Sequence, residues 1–458
     1  MSSRMKTLST LAAALLLAGC SMIPRIERPA APVPATFPAP SAQQGTAAAE
    51  IAWQDFFGDA RLRGLIETAL RNNRDLRVAA LNIAQARAQF DIRNADRLPS
   101  VGGNLSASRA PNAQGNQANT FTANLAISSW EIDFFGRIAS LSEAALAQYL
   151  ATDEGRNAAQ VALVASVANT WLSLAADEEL LALTRQTLAT REESLRLTRL
   201  RFENGASSEI DFRLAQSLFE SARATLAQLQ RQRATDLNAL GLLLGEALPP
   251  EYQVGLTTAG LELPDVPAGV PSEVLVRRPD VRQAEQQMLA ANANIGAARA
   301  AFFPRISLTA GLGTASPDLS GLFSGGSWGY TVAPGLLQPI FDAGRNRASL
   351  AVAEVSRDIA VAQYERAIQQ AFRDVADALA GRATWGDQVQ AQANVVEAES
   401  VRFRLARLRY ENGVASYLDL LDAQRSLFTA QQGLVQARLA RLQNQVQLYR
   451  SLGGGWNR

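Results

Sequence analysis

Histidine is absent from this chain of 458 residues, and cysteine occurs once, at Cys20. Histidine is the commonest metal ligand and the usual general base of enzymes, so its absence excludes histidine-dependent triads and most zinc sites. A single cysteine excludes a disulfide framework and a thiolate cluster. The sequence also lacks a GxxxxGK(S/T) phosphate-binding loop and a GxGxxG dinucleotide motif. The composition therefore argues against an enzyme, which would have to work with carboxylates alone.

Excess charge and long apolar runs are lacking too. The chain carries 44 basic and 43 acidic residues, a net charge of +1, whereas nucleic-acid-binding proteins usually carry a basic excess. Beyond the N-terminus, no run of continuous apolar residues is long enough to predict a membrane-spanning helix. From the charge balance we expect no nucleic-acid partner. From the lack of apolar runs we expect that any membrane attachment comes from lipid, from β-strands or from both.

The N-terminus has the pattern of an export signal. Arg4 and Lys6 precede an apolar run at residues 8–18, which predicts a signal peptide over residues 1–19. Residues 17–20 read Leu-Ala-Gly-Cys, the pattern of a bacterial lipoprotein signal, in which the cysteine is lipidated after cleavage. We therefore predict a covalent lipid on Cys20; the alternative is an ordinary signal peptide with an incidental cysteine. Ser21 follows, which by similarity to such lipoproteins favours export to the outer membrane.

Two hexapeptides, LRFENG at 200–205 and LRYENG at 408–413, show that the chain is a tandem duplication. They are 208 residues apart, as are the Gly-Arg pairs at 136–137 and 344–345. Such a long repeat indicates two similar halves rather than a solenoid. The predicted organisation is an N-terminal segment 20–57, repeat 1 at 58–245, a connector at 246–271, repeat 2 at 272–453 and a tail at 454–458.

Each hexapeptide ends one helical pattern and precedes another, which predicts helix–turn–helix tips at 200–208 and 408–416. Gly205 and Gly413 lie where a helix end favours the left-handed conformation. Ser208 and Ser416 are predicted helix N-caps, each followed three residues later by an aspartate, as in a capping box. For a single tip, a generic helical hairpin would be the simpler interpretation.

Alternating apolar and polar residues predict β-hairpins at about 99–132 and 304–338, with the first loop at 111–119. One apolar face and one small or polar face are typical of transmembrane barrel strands. Trp328 and Tyr330 suit the aromatic belt of such a barrel. For one hairpin alone, a soluble sheet would be the simpler interpretation.

Long helices accompany the hairpins. Residues 59–97 have one continuous helical pattern, and residues 136–204 and 344–412 contain no proline. A helix of the latter length extends about 100 Å, which is too long for a globular domain.

Four strands cannot close a membrane barrel, because strand edges in lipid must be paired. Two or three copies would give eight or twelve strands, and this argument does not choose between them. The last helix has two apolar seams about 150° apart, as expected in a ring of about twelve helices, although ten or fourteen fit the same angle. With four helical limbs per chain, twelve helices correspond to a trimer.

Several motifs together resemble the TolC-like outer membrane efflux proteins, in the OprM-type lipoprotein branch. They lie at 17–20 (LAGC), 130–137 (WEIDFFGR), 271–280 (PSEVLVRRPD), 339–345 (PIFDAGR), 417–428 and 451–456 (SLGGGW). The resemblance implies an α+β membrane protein, a trimeric 12-stranded β-barrel that continues into a 12-helix periplasmic α-barrel. It also implies an outer membrane location, a periplasmic adaptor as partner and an inner-membrane pump, usually of the resistance-nodulation-division type.

The resemblance further implies which residues act. The tips at Gly205, Ser208, Gly413, Ser416 and Tyr410 would contact the adaptor.

The periplasmic gate would consist of Leu418 and Asp422. Asp419 has a simpler interpretation as the capping partner of Ser416, and we expect Arg409 or a bound cation to offset the charge of Asp422.

The leading function is thus a passive exit duct of a multidrug efflux pump, with no enzymatic activity, no metal site and no cofactor apart from the lipid. A type I protein secretion duct and a metal-ion efflux duct are alternatives on the same fold. A periplasmic coiled-coil adaptor lipoprotein is the alternative from a different class.

Overall fold

The computed structural model describes residues 21–38, 48–111, 113, 115–253, 255–266 and 272–456. The signal peptide and the predicted lipid site at Cys20 lie outside the described residues. The helices are α1 (Ala60–Asn72), α2 (Arg74–Ala95), α3 (Arg137–Glu203), α4 (Glu209–Leu244), α5 (Pro279–Ala300), α6 (Arg345–Glu411) and α7 (Tyr417–Ser451). The strands are β1 (Val101–Pro111), β2 (Gln117–Ile132), β3 (Arg305–Ser316) and β4 (Trp328–Leu337). Short helical turns lie at Ala48–Glu50, Trp53–Phe56, Pro250–Gln253, Ser272–Arg277 and Leu319–Gly321.

The two proline-free segments form single helices of 67 residues each, α3 and α6, as predicted. An aspartate stabilises the beginning of each helix by accepting a backbone N–H. Asp133 accepts from Ala139 at 2.7 Å, and Asp342 accepts from Asn346 at 2.8 Å. An aspartate shortly before each long helix therefore caps it.

One window of α3 is apolar enough to cross a membrane by length and composition, although the sequence contains no continuous apolar run of that length. Within the described part of the chain, 61 % of this window is buried in the protein. Such burial is typical of a helix that packs against other protein elements.

The predicted single helix at 59–97 is wrong, because Asn73 divides it into α1 and α2. Asn73 has an extended backbone and is 6 % exposed. Its side chain accepts the N–H of Leu76 at 2.9 Å and donates to the carbonyl oxygen of Leu243 at 3.0 Å. The asparagine thus caps α2 and at the same time attaches this point of the chain to the end of α4.

The four strands form one antiparallel sheet in the order β1-β2-β3-β4. Both predicted hairpins are confirmed, and the first loop is shorter than predicted because β1 continues to Pro111 and β2 begins at Gln117. The central pair, β2 and β3, joins the two copies of the repeat. Among the described residues, β1 and β4 have no further strand partner and form the edges of the sheet.

A β-bulge lies in β2 between Ile127 and Trp130. Ile127 pairs with Ala310, but Trp130 pairs with Leu308, so β2 has one more residue than β3 across this interval. Ser129, within the bulge, has a φ of 50°. The extra residue places Trp130 on the same face as Ile127, which keeps the apolar face of β2 continuous although the sequence alternation changes phase.

The chain divides into two compact units, and each unit draws on both copies of the repeat. The first contains the described residues of Met1–Ala31, Leu81–Glu154 and Arg282–Arg366, including the sheet. Residues 21–38 have no helix or strand, and Asn292 on α5 holds this segment by donating to the carbonyl oxygen of Pro24 at 2.8 Å.

The second unit contains the described residues of Pro32–Ala80, Gly155–Val281 and Ala367–Arg458, and therefore both tips. Its core includes the end of α7, where the ring of Tyr449 stacks on that of Phe56 at 4.0 Å. The Tyr449 hydroxyl donates to the carbonyl oxygen of Ile51 at 2.7 Å. The segment before α1 is thereby fixed to the last helix.

Candidate functional site at the helical tips

Both predicted tips are turns between a long helix and a shorter one. Gly205 and Gly413 have φ values of 70° and 72°, in the left-handed region that was predicted. The Gly205 N–H bonds to the carbonyl oxygen of Phe202, and the next N–H bonds to that of Arg201, the pattern of a Schellman motif. The second tip repeats both bonds. A Cβ atom at either glycine would meet nothing within 4 Å, so the turn requires glycine for its backbone conformation and not for space.

Capping boxes start the helices that leave the tips. The Ser208 hydroxyl accepts the N–H of Asp211 at 3.1 Å, and the Asp211 carboxylate accepts the N–H of Ser208 at 3.3 Å. Ser416 and Asp419 form the same two bonds, each at 3.2 Å. The interpretation of Asp419 as a capping residue is therefore confirmed, and its carboxylate is engaged at the helix start.

A contact between the two tips involves Tyr410, a residue predicted at the adaptor surface. Arg201 donates a hydrogen bond to its hydroxyl, and the Arg201 guanidinium lies 5.4 Å from the ring centroid. The ring of Tyr417 lies 5.3 Å from that of Tyr410. In the first tip, Phe202 takes the equivalent position and stacks on Phe212 instead. Sequence reasoning missed Arg201, although the tyrosine-for-phenylalanine difference between the hexapeptides pointed to a special role of the second tip.

Asp422 lies between two arginines. Arg425, one turn later on α7, approaches its carboxylate at 2.6 Å, and Arg402 on α6 forms a second ion pair with it. Arg402 also contacts Glu399 at 3.1 Å. The hydrogen bond from Arg402 is the main cause that holds the pKa of the Asp422 carboxyl below its ordinary value, so this group is ionised at neutral pH.

The expectation that Arg409 pairs with Asp422 is not met within this chain, where Arg402 and Arg425 take that place. The i, i+3 spacing of Asp422 and Arg425 was the available sequence signal for one of them. Leu418 lies near the second tip with 58 % of its surface exposed. It is therefore available to contact another molecule.

A cavity of about 440 Å³ lies beside the contact between the tips, among α3, α6 and α7. Its lining combines apolar, aromatic and charged side chains, including the Tyr410 and Tyr417 rings. The lining residues are Thr190, Glu193, Ser194, Leu197, Thr198, Arg201, Phe403, Arg407, Tyr410, Glu411, Tyr417, Leu420 and Gln424. The two hairpins are thus in contact near the turns but not close-packed along this stretch.

The other predicted residues lie away from the tips. Trp328 and Tyr330 are both exposed on the edge strand β4, on one face of the sheet. Among the described residues, no cluster of three or more histidine, cysteine, aspartate or glutamate side chains is arranged to hold a metal ion.

The sequence of this chain is similar to those of known proteins. The sequence profile of the family described as outer membrane efflux protein matches residues 65–246 and 270–454, one match for each copy of the repeat. The antibiotic efflux pump outer membrane protein ArpC of Pseudomonas putida is 46 % identical over 461 residues, covering 98 % of this chain and 95 % of its own length. The toluene efflux pump outer membrane protein TtgC of the same species has the same identity and coverage.

Among solved structures, the open state of the MtrE outer membrane channel of Neisseria gonorrhoeae is similar to this chain with a TM-score of 0.87 and 39 % identity. The similarity covers 96 % of this chain and 99 % of that one. Similarity therefore extends over both copies of the repeat and includes both tips.

Proposed function

Since this chain belongs to the outer membrane efflux protein family, we propose that it is the outer membrane exit duct of a tripartite pump that expels antibiotics or organic solvents. The duct is passive: a periplasmic adaptor binds its tips, and an inner-membrane pump of the resistance-nodulation-division type supplies the energy. The observation that carries this proposal is the four-stranded sheet, whose two edges match each other when the chain is repeated.

The edges of the sheet are exposed and apolar on one face. Leu105 on β1 is 78 % exposed, and Leu336 on β4 is 68 % exposed. Open edges and exposed apolar side chains are tolerated in a membrane only when other strands pair with the edges and lipid covers the apolar face. The edge strands therefore require further copies of the chain.

The internal duplication gives the register between copies. Val101 pairs with Ile127 in the first hairpin and Ile306 pairs with Leu336 in the second, so β3 follows β1 by 205 residues and β4 follows β2 by 209. Within the chain, Ile127 on β2 pairs with Ala310 on β3. The equivalent pair between copies is Leu336 on β4 with Leu105 on β1 of the next chain.

This register also matches the faces of the two strands. Leu125 pairs with Leu312 within the chain, and the equivalent pair between copies is Pro334 with Ala107. Apolar residues therefore pair with apolar residues along the proposed seam, which is the contact between β4 of one chain and β1 of the next. A shift of one residue would place them against the polar face.

Three copies fit a duct better than two. Eight strands enclose an interior that side chains fill, whereas twelve leave a lumen. Three copies of the four limbs α3, α4, α6 and α7 supply twelve helices. Lipid on Cys20 would add membrane affinity to a protein that its strands already hold there.

The threefold symmetry of the proposed trimer also indicates how the duct would close. Three copies of Leu418 around one axis would close a narrow opening by excluding water, and three copies of Asp422 would favour cations. Binding of the adaptor at the tips of Gly205 and Gly413 would spread the helices and open it.

Deletion of the gene in its host tests the proposal. Intracellular accumulation of antibiotics and of toluene should rise, and the wild-type gene should reverse the rise. A variant in β4, Val332→Pro, removes a backbone N–H on the free edge of the strand, where the next chain would pair, and should fail to restore export. Unchanged accumulation together with loss of a secreted protein would instead indicate the secretion duct, and sensitivity to metal ions alone would indicate the metal-efflux duct.

A further inference from the structure

Arg191 is a buried cation in the middle of the tip-proximal part of α3. It is 4 % exposed. Its Nη1 donates to the carbonyl oxygen of Leu218 on α4 at 2.8 Å, and its guanidinium lies 5.2 Å from the ring centroid of Phe428 on α7. A single side chain thus bridges its own hairpin and the hairpin that carries Leu418 and Asp422.

The charge of this arginine is poorly compensated. Within the described part of the chain, the ion pairs of α3 include none to Arg191, and its Nε–H is buried without a hydrogen-bond acceptor. Burial accordingly lowers the pKa of the guanidinium, with no carboxylate to raise it again. A buried charge without a counter-ion destabilises the state in which it is buried.

The repeat itself does not require an arginine at this place. The equivalent residue in the second copy is Glu399, which pairs with Arg402, and the equivalent of Phe428 in the first copy is Glu220, which pairs with Arg223 at the surface. Both equivalents are part of ordinary ion pairs. The buried arginine against an aromatic ring is therefore specific to the contact between α3 and α7.

We propose that Arg191 is a positioning residue of the gate, which holds α7 in the resting position only weakly and so keeps the tip ready to open. The inference rests on the proposed function as a gated duct. The cation–π contact with Phe428 aligns α7 while it is closed. When α7 moves away, water reaches the guanidinium, which can keep its bond to Leu218, and this hydration offsets part of the free energy lost by separating the helices.

The changes in stability and in gating on replacement of Arg191 distinguish this positioning role from a purely structural one. Replacement of a buried charge that lacks a counter-ion by an apolar side chain of similar length removes the free-energy cost of burying it and should stabilise the protein. Arg191→Met should therefore raise the thermal unfolding temperature and, at the same time, hold α7 more firmly. A residue that only supported packing would lower both stability and export when replaced.

The test uses the purified full-length protein in planar bilayers, with potassium chloride as the conducted salt. For Arg191→Met we expect the fraction of time in the high-conductance state to fall about tenfold, equivalent to about 1.4 kcal/mol. Export in cells that contain the adaptor and the pump should fall as well, with a raised unfolding temperature. Arg196→Met is the matched control, since Arg196 on the same helix pairs with Glu193 at the surface, and it should change none of these quantities.

Phe428→Leu supplies an independent variant with the opposite expectation. Loss of the ring leaves the guanidinium without its contact on α7, so resting conductance should rise. If Arg191→Met is less stable than the wild type, or equally stable with unchanged gating, the proposal is overturned. If the wild-type protein itself forms no channel in the bilayer, the proposed duct function fails before this question arises.

Discussion

A single hydroxyl group distinguishes the hexapeptides that form the two tips, at 200–205 and 408–413. Tyr410 offers Arg201 a hydrogen-bond acceptor and a ring face, whereas Phe202 in the other tip offers a ring only. The bond joins the two hairpins of one chain, so it opposes any movement that separates them. Its strength is modest, because Arg201 is exposed to solvent.

Tyr410→Phe should therefore loosen the tip without disturbing the turn. The ring and its contact with Tyr417 remain, and about 0.5–1.5 kcal/mol of hydrogen bonding is lost. We expect a several-fold rise in resting conductance, measured in planar bilayers, with an unfolding temperature lowered by only about 1–2 °C. Conductance equal to that of the wild type would show that this bond does not restrain the gate.

Asp177 gives the stability of the second unit a dependence on pH. Burial raises the pKa of its carboxyl to about 7, and the neighbouring carboxyl of Asp236 adds to the rise. In the unfolded chain an aspartate ionises near about 3.9. Between these values the unfolded state releases a proton that the folded state keeps, so stability falls as the pH rises through this window and is constant above it.

Asp177→Asn should remove this loss, because the amide stays neutral and can still donate to Asp236. We expect the variant to be more stable than the wild type by about 1–3 kcal/mol above about pH 7, with an advantage that disappears towards about pH 4. Thermal unfolding in detergent across this range measures it. Asp153→Asn, at an exposed position of the same helix, should show no such trend, and parallel curves for both variants would refute the assignment.

At the scale of the elements, helix termini were the best predicted features. The left-handed glycines and the capping boxes depend on residues within one turn of each other, so their sequence pattern contains the whole interaction. The lengths of α3 and α6 were predictable because neither segment contains a proline that would interrupt the helix. The break at Asn73 was missed because its cause, the carbonyl oxygen of Leu243, lies 170 residues away.

Contacts across elements were predictable only in part. Leu418 and Asp422 came from a family resemblance, whereas the contact of Asp422 with Arg402 became known only from the fold. Arg201 and Arg402 contact residues on other helices, and no local pattern indicates such a contact. The bulge in β2 was hidden because a change of phase in an alternating pattern looks like the end of a strand.

Gly413→Val tests whether the backbone conformation of the tip matters to adaptor binding. Since nothing lies within 4 Å of an added Cβ, the loss should be conformational, on the order of 1–2 kcal/mol. We expect weaker adaptor binding and reduced export at a normal yield of folded protein. Gly386→Ala is the contrasting control: Gly386 lies inside α6, also with free space, and alanine should stabilise the helix by about 0.5–1 kcal/mol. Normal adaptor binding by Gly413→Val would exclude this turn from the contact surface.

At the scale of the whole molecule, cross-linking tests the register of the proposed seam between β4 of one chain and β1 of the next. Leu105→Cys combined with Leu336→Cys should form disulfides between chains, because directly opposed residues of an antiparallel pair have suitable spacing. Cys20 is the only native cysteine, so the product is simple to interpret. Denaturing electrophoresis should show species of up to three chains. Leu105→Cys with Leu337→Cys, one residue out of register, should give none, and equal yields from both pairs would contradict the register.

The proposed assembly gives Arg409 a contact with the next chain. It is the counterpart of Arg201, so in a ring of alternating copies it should face residue 202 of the next chain, where phenylalanine cannot accept a hydrogen bond. Phe202→Tyr should supply the missing acceptor and lock the seams between chains. We expect lower resting conductance and weaker export, measured as for the other variants, and Arg409→Met in the same background should reverse both. No change in Phe202→Tyr would show that Arg409 does not face this position.

The bulge at Ser129 restricts which hybrids of the two copies could keep the sheet intact. Gly136 and Gly344 are 208 residues apart, whereas equivalent positions of β2 and β4 before the bulge, such as Ile127 and Leu336, are 209 residues apart. An unequal crossover aligned on the glycines but resolved inside the strands would join them one residue out of phase. Every later strand residue would then turn to the opposite face, and the apolar face would be lost. One extra residue in β2 thus makes the hairpins of the two copies non-interchangeable, although the long helices that follow them keep a common offset of 208 residues.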